Sequence, residues 1–162
     1  MLLEYNVYLN KKQEHKLSGV VVIYKNNILL VKPKKFKNQK KKWSIPKGHV
    51  ENDDILQTAL DELKEESRLK LTPERLKSSP TDKVIYKKNG IKKELNFFIV
   101  KVKKKDLNVK LFNNMILGHN LKGETREVGF FSKQDAKKLL EYQQLEVLKY
   151  LTWWELRCLM KI

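Results

Sequence analysis

Three glutamates, Glu62, Glu65 and Glu66, stand at positions i, i+3 and i+4 of a segment with no glycine or proline. On a helix that spacing puts all three carboxylates on one face, within reach of one another. Like charges so crowded repel by roughly a few tenths of a kcal/mol per exposed pair unless a cation neutralises them. Hard oxygen donors on a rigid element suit Mg2+ or Mn2+, ions that keep several waters and bridge to substrate phosphates. Such an ion polarises a phosphoryl oxygen and helps make hydroxide from water. A glutamate-rich helix face is more often only solvated, so the flanking residues decide. Upstream runs Trp43-Ser44-Ile45-Pro46-Lys47-Gly48-His49-Val50-Glu51. There Pro46 stiffens the chain, Gly48 lets main chain approach a ligand or metal closely, and Lys47 can meet a phosphate directly.

The elements that must position these groups follow from hydrophobic period. Ile55, Leu56, Ala59, Leu60, Leu63 and Leu69 recur at spacings near three and four, which predicts an amphipathic helix from Ile55 to Leu69. Residues 3 to 9 alternate Leu3, Tyr5, Val7 and Leu9 with polar neighbours, the period of a first strand. Val20 to Tyr24 and Ile28 to Val31 read as a buried hairpin turned at Lys25-Asn26-Asn27. Val84 to Tyr86 and Leu95 to Val102 form a second, turned at Lys88-Asn89-Gly90. Val128 to Phe131 is a last short strand, and Ser132 with Asp135 resembles a helix N-cap ahead of two helical stretches. Strands interrupted by one amphipathic helix and followed by others make an α/β domain, with no internal repeat and one domain over residues 1–162.

With the motifs placed, WSIPKGHVENDDILQTALDELKEESRL resembles the Nudix box and its lead-in, the signature of a family that hydrolyses nucleoside diphosphates linked to another group. The resemblance implies an α/β/α sandwich around a mixed β-sheet, with the box as loop-helix-loop between strands. It puts Glu62, Glu65 and Glu66 on the family's conserved glutamates, which bind the metal, and Leu63 and Leu69 on its hydrophobic positions. Gly48 joins them as a main-chain metal contact, and Glu62 and Glu65 are catalytic candidates. Three departures stand out. The loop after Gly48 is one residue short, with Asp53 or Asp54 in place of a glutamate; Asp61 replaces the arginine before the first glutamate; Arg68 replaces a glycine. Asp61 adds negative charge where the family has a cation, which Lys64 or Arg68 would have to offset; without that, the alternative is a catalytically weakened module that binds nucleotide or RNA.

Pro46 to Glu51 followed by Gln57-Thr58-Ala59-Leu60 is similar to the branch that cleaves diadenosine tetraphosphate and other dinucleoside polyphosphates. That branch commonly stacks a base on a tyrosine beyond the box, and Tyr86 lies seventeen residues past Leu69. Tyr86 is equally readable as a packed strand residue. Phe97 and Phe98 must point to opposite faces, one into the core and the other free to line the site. His49 reads as a solvent-facing loop residue rather than a ligand of an oxygen-loving ion, and stands with Lys47 and Tyr86 as a substrate contact. Glu124 and Glu127, in the loop ahead of the last strand, are candidates for a general base, since the resembled family often supplies one from that loop. His119 carries no interpretable signal.

Composition bounds the rest. Thirty-five Lys+Arg against 19 Asp+Glu give a formal net charge of +16, a field that draws polyanions. With the lysine run from Lys34 to Lys42, that charge keeps RNA in view as a second substrate, through removal of a cap or 5′-pyrophosphate. Single Cys158 cannot form an intramolecular disulfide and reads as a buried thiol in a reducing, cytoplasmic setting. No apolar run is long enough to span a bilayer. Trp153, Trp154, Leu156 and Leu159 on the terminal helix read as core or as an interface, leaving monomer and homodimer both open.

Overall fold

The computed structural model describes residues 14–33, 42–116 and 125–160. The alternating segment at 3 to 9, residues 34 to 41 of the lysine run, His119 and Glu124 lie outside them. The first hairpin joins β1 (Glu14–Tyr24) to β2 (Asn27–Pro33) through Lys25 and Asn26, at φ 47° and 63°. Two consecutive left-handed residues match the right-handed twist of the flanking strands. The turn is therefore two residues long, and Asn27 opens β2 instead of belonging to the turn. The second hairpin, β4 (Thr81–Lys88) and β5 (Ile91–Lys101), turns on Asn89 and Gly90 at φ 53° and 75°, with Lys88 paired to Ile91.

The remaining strands are short β3 (Lys47–His49), β6 (Leu111–Phe112), β7 (Met115–Ile116) and β8 (Thr125–Ser132). They complete a sheet of order β4-β5-β1-β2-β8-β7-β6, with β3 paired to β1 beside this path. β1 runs parallel to β5 from Glu14↔Lys92 to Ile23↔Lys101 and antiparallel to β2 and β3, so the sheet is mixed. Its centre is apolar on both faces because helices cover both. Val20, Val22, Leu29 and Val31 face α1 (Ile55–Ser67) and α2 (Pro73–Lys77), while Val21, Ile23, Ile28 and Leu30 face α3 (Lys133–Leu139) and α4 (Leu145–Met160). This is the α/β/α sandwich expected from the sequence. Phe97 and Phe98 do point to opposite faces, but both are core, at 0% and 4% exposure. The expectation that one would line the site fails because each face is sealed by helices.

α1 starts on Asp54, whose carboxylate accepts from the Gln57 amide at 2.9 Å, and closes at Ser67, whose hydroxyl donates to the Leu63 carbonyl. It stops short of Leu69 because Arg68 takes the left-handed conformation, φ 66°, with its amide on the Lys64 carbonyl. That is the helix-ending position where glycine has no Cβ penalty, which accounts physically for the glycine of the box pattern. Arg68→Gly is expected to raise stability by about 1 kcal/mol, read as a shift in the denaturant midpoint without a change in slope.

α4 outruns the sheet. Its last buried residue is Leu151, and Trp153, Leu156, Leu159 and Met160 are exposed. Cys158 is exposed with them, which corrects its reading as a buried thiol: among the described residues, the final turns have no element to pack against. Trp154 alone of the two tryptophans packs on the second core. Among the described residues, no helix is long and apolar enough to cross a membrane.

Candidate active site

β3 sets the stage. Ser18↔Gly48 and Gly19↔Lys47 pairing lays the loop against β1, and the Ser18 hydroxyl donates to the Ile55 carbonyl at 2.5 Å, pinning the start of α1 to the same strand. Behind the loop stands a 3-10 turn, Tyr142–Gln144. The Glu141 amide donates to the Trp43 carbonyl at 3.0 Å, and the Ile45 amide donates to Gln144 Oε1 at 3.0 Å. Gln144 Nε2 in turn donates to Ser44 Oγ at 3.0 Å. Lys47 and Gly48 are thus delivered by a segment held at both ends.

The carboxylates meet that segment. Glu66 Oε1 accepts from the Lys47 amide at 3.2 Å. Glu62 lies so close to Gly48 that a Cβ there would fall 2.0 Å from its Oε1. The two glutamates are hydrogen-bonded to each other. Burial, and then repulsion from Glu62, push the Glu66 carboxyl up to about 8, against a smaller opposing pull from the Lys47 amide. Burial first, with the charge of Glu65 adding to it, pushes Glu62 in the same direction. One shared proton relieves the repulsion in a pair like this. Glu65 is exposed and acts on Glu62 through its field. Among the described residues, no three His, Cys, Asp or Glu side chains gather into a ligand set.

Charge continues beyond the pair. The Lys47 ammonium is pushed below the ordinary lysine value by burial, while Glu141 and Glu66 pull it back up. Glu141 is buried, 7% exposed, with both oxygens on Lys88 Nζ at 3.3 and 3.1 Å. Tyr86, half-buried on β4, has its phenol pushed up to about 12 by burial and then by Glu141. Glu66, Lys47, Glu141, Lys88 and Tyr86 therefore form one connected group. His49 is largely exposed, edge-on to the His15 ring at 5.1 Å between centroids, and its imidazole is pushed below the ordinary histidine value by partial desolvation, then by His15, Lys93 and Lys47.

Of the residues singled out from sequence, Glu62, Glu66, Lys47 and Gly48 come together, with Tyr86 linked through Glu141. Glu65 is adjacent on the outer helix face. Glu127 sits on β8 opposite Lys32, and the principal groups acting on Glu62 and Glu66 do not include it. Asp61 is exposed and accepts from Gln57 Nε2 at 2.8 Å, a neutral partner one turn back. Asp54 is the helix cap, so the missing loop glutamate has a structural replacement. Sequence reasoning passed over Glu141, Lys88 and Gln144. Their partners lie 53 to 100 residues away, and only the placing of Glu141 directly after the apolar pair Leu139-Leu140 hinted at burial.

Two partly buried carboxylates, the Lys47 amide and its ammonium are thus brought together on β3 and α1, the donor chemistry that a hard divalent cation and a phosphate require. Gly48→Ala is expected to push Glu62 off β3 and lower turnover about 100-fold with little loss of folding, as small misplacements at a reacting centre do; circular dichroism alongside steady-state assays separates the two effects.

A model of the NUDIX domain matches residues 14–151 of the chain. The chain belongs to this family. As a Nudix protein it is by class a hydrolase of pyrophosphate linkages. No curated protein matches the sequence significantly. Solved structures similar to this Nudix chain include an Ap4A hydrolase binary complex from C. elegans, with TM-score 0.59 and 23% identity over 83% of this chain and 91% of that one. A mutT/nudix family protein from Listeria innocua gives TM-score 0.61 and 21% identity over 91% and 98% of the two chains. A bifunctional NMN adenylyltransferase/ADP ribose pyrophosphatase from Francisella tularensis, complexed with AMP and a Mn ion, gives TM-score 0.60 and 20% identity; this chain spans 46% of its length. At these identities the likeness establishes the Nudix fold.

Proposed function

We propose that this protein is a Mg2+- or Mn2+-dependent enzyme that cleaves a phosphoanhydride bond in nucleoside diphosphate derivatives, with dinucleoside polyphosphates such as diadenosine tetraphosphate as its substrates. The carrying observation is the Glu62 and Glu66 pair set against Lys47 and Gly48 of β3, with Glu66 accepting from the Lys47 amide at 3.2 Å. The donor set fits a hard divalent ion: two oxygen-bearing side chains repel each other at close range, and magnesium asks for only one or two carboxylates beside its waters. Glu62 and Glu66 would hold it, with Glu65 and the Gly48 main chain beside them. When bound, the ion supplies Lewis-acid polarisation of a phosphoryl oxygen and a more acidic water.

The chain's own residues do the remainder. Lys47, short of full solvation, meets a phosphate oxygen as a point charge. Tyr86 presents a ring to the base, an interaction that contributes about 1 to 3 kcal/mol. Burial of Glu66 and Lys47 thins the water around the reacting phosphate, which strengthens each charge interaction there. The exposed thiol of Cys158 suits a reducing, cytoplasmic setting.

The decisive experiment offers purified protein, with Mg2+ or Mn2+, a panel of dinucleoside polyphosphates, nucleotide sugars, NTPs and capped RNA. Preferred cleavage of the dinucleoside polyphosphates supports the substrate assignment. Failure to cleave any member would overturn the enzymatic reading, and preference for another member would overturn the substrate.

A further inference from the structure

A cavity of about 590 Å³ opens between β4 and the helices α3 and α4. Tyr86 lines it and is also acted on by Glu141, so the cavity and the Glu66, Lys47 and Glu141 group share that residue. Its lip is cationic. Lys87, Lys133, Lys137 and Lys149 line it against one carboxylate, Glu146. Lys133 is paired with Glu155, and Lys149 with Glu146 at 2.7 Å, so carboxylates already match part of that charge. Tyr142 also lines the cavity at 82% exposure, a large ring with almost no packing role. Dinucleoside polyphosphate carries its charge between its nucleosides, so a nucleoside seated at Tyr86 would send no phosphate toward this outer lip. Cations and a free aromatic face on that side ask for a ligand whose charge continues past the first base.

We propose that this cavity binds single-stranded nucleic acid, with a base stacked on Tyr142 and backbone phosphates on Lys87, Lys137 and Lys149. Aromatic platforms in a basic groove take unpaired bases whatever their identity, because every base has a π-face. A duplex keeps its bases stacked on each other and offers Tyr142 nothing. This inference extends the range of ligands of the site described under Proposed function, and it rests on that reading.

The test measures binding of a short 3′-labelled single-stranded RNA, the same sequence as DNA, and a duplex, by fluorescence anisotropy over a salt series. Two triple variants are compared with wild type: Lys87→Gln/Lys137→Gln/Lys149→Gln at the cavity, and Lys103→Gln/Lys104→Gln/Lys105→Gln on the loop after β5. Both remove the same charge from exposed positions. Each phosphate neutralised on a single strand contributes about 0.7 to the slope of log affinity against log salt, so the cavity variant is expected to lose about 2 and the distal variant far less. Tyr142→Ala is expected to weaken single-strand binding about tenfold while its thermal midpoint stays near wild type.

Equal losses in both triple variants would mean a diffuse field and overturn the proposal, as would an unchanged affinity in Tyr142→Ala, duplex bound as tightly as single strands, or no binding by wild type at low salt. Similar affinity for RNA and DNA supports backbone-and-stacking recognition; tighter RNA binding adds a 2′-hydroxyl contact to the same site. Hydrolysis of diadenosine tetraphosphate by wild type is assayed separately. Its absence with the binding results intact sinks the dinucleoside polyphosphate assignment alone, and its presence with binding lost sinks this inference alone.

Discussion

Glu66→Gln is expected to cut turnover on the order of 1,000-fold at saturating Mg2+, with KM changed much less. Losing one preorganised charge interaction that acts chiefly in the transition state costs about 4 kcal/mol, which is that factor in rate. The substitution keeps volume and leaves an amide oxygen to accept from the Lys47 main chain, so β3 and α1 stay in register. Glu62→Gln is expected to behave alike, since the same pair loses one charge. Glu65→Gln is the informative comparison. Its carboxylate is exposed and set apart from the pair, so a loss equal to that of Glu66→Gln would mean that the bound ion draws all three glutamates together. A Glu66→Gln protein within tenfold of wild type would remove Glu66 from the reaction.

Metal-free protein is expected to lose stability steadily as pH rises from about 4.5 to about 8. The direction follows from proton linkage. Glu66 has a folded value raised to about 8 from the ordinary 4.5, and Glu62 is raised as well. Between those limits the folded state holds a proton that the unfolded state has released, so unfolding becomes easier with each unit of pH. Below the lower limit both states are protonated and the effect is fully retained; above the upper limit the burial and repulsion of two charges are fully felt. Each unit corresponds to about 1.4 kcal/mol, and a shared proton dilutes the sum, so a loss on the order of 3 kcal/mol is expected. Urea midpoints at stepped pH measure it. Magnesium should flatten the curve and Glu66→Gln should remove most of it; a metal-free wild type equally stable at pH 5 and pH 8 would contradict the buried pair.

The box helix, both hairpins and the α/β/α layering were legible because period and turn chemistry are local. Asn89-Gly90 carries its own geometry, and the leucines of α1 repeat where a helix must bury them. Glu62, Glu66, Lys47 and Gly48 were legible for a different reason, the likeness of their segment to a known box. What stayed hidden depends on partners far along the chain. Nothing around Glu141 announces Lys88, and nothing around Gln144 announces Ser44 and Ile45. The sealing of Phe97 and Phe98, and the exposure of Cys158, depend on how far helices extend over the sheet, which periodicity does not encode. Arg68 lies between these cases: its place in the box flagged a missing glycine, and its positive φ supplied the reason.

The clamp of Gln144 on Ser44 and Ile45 joins residues about one hundred positions apart. During synthesis, strands β1 and β2 and the box helix leave the ribosome long before that glutamine exists. The nascent chain can therefore form its acidic helix early, while the segment bearing Lys47 and Gly48 has nothing behind it until the last helices arrive. Closing so long a loop is slow and comes late in folding. The segment that carries Lys47 and Gly48 thus gains its full support only once Gln144 has been made.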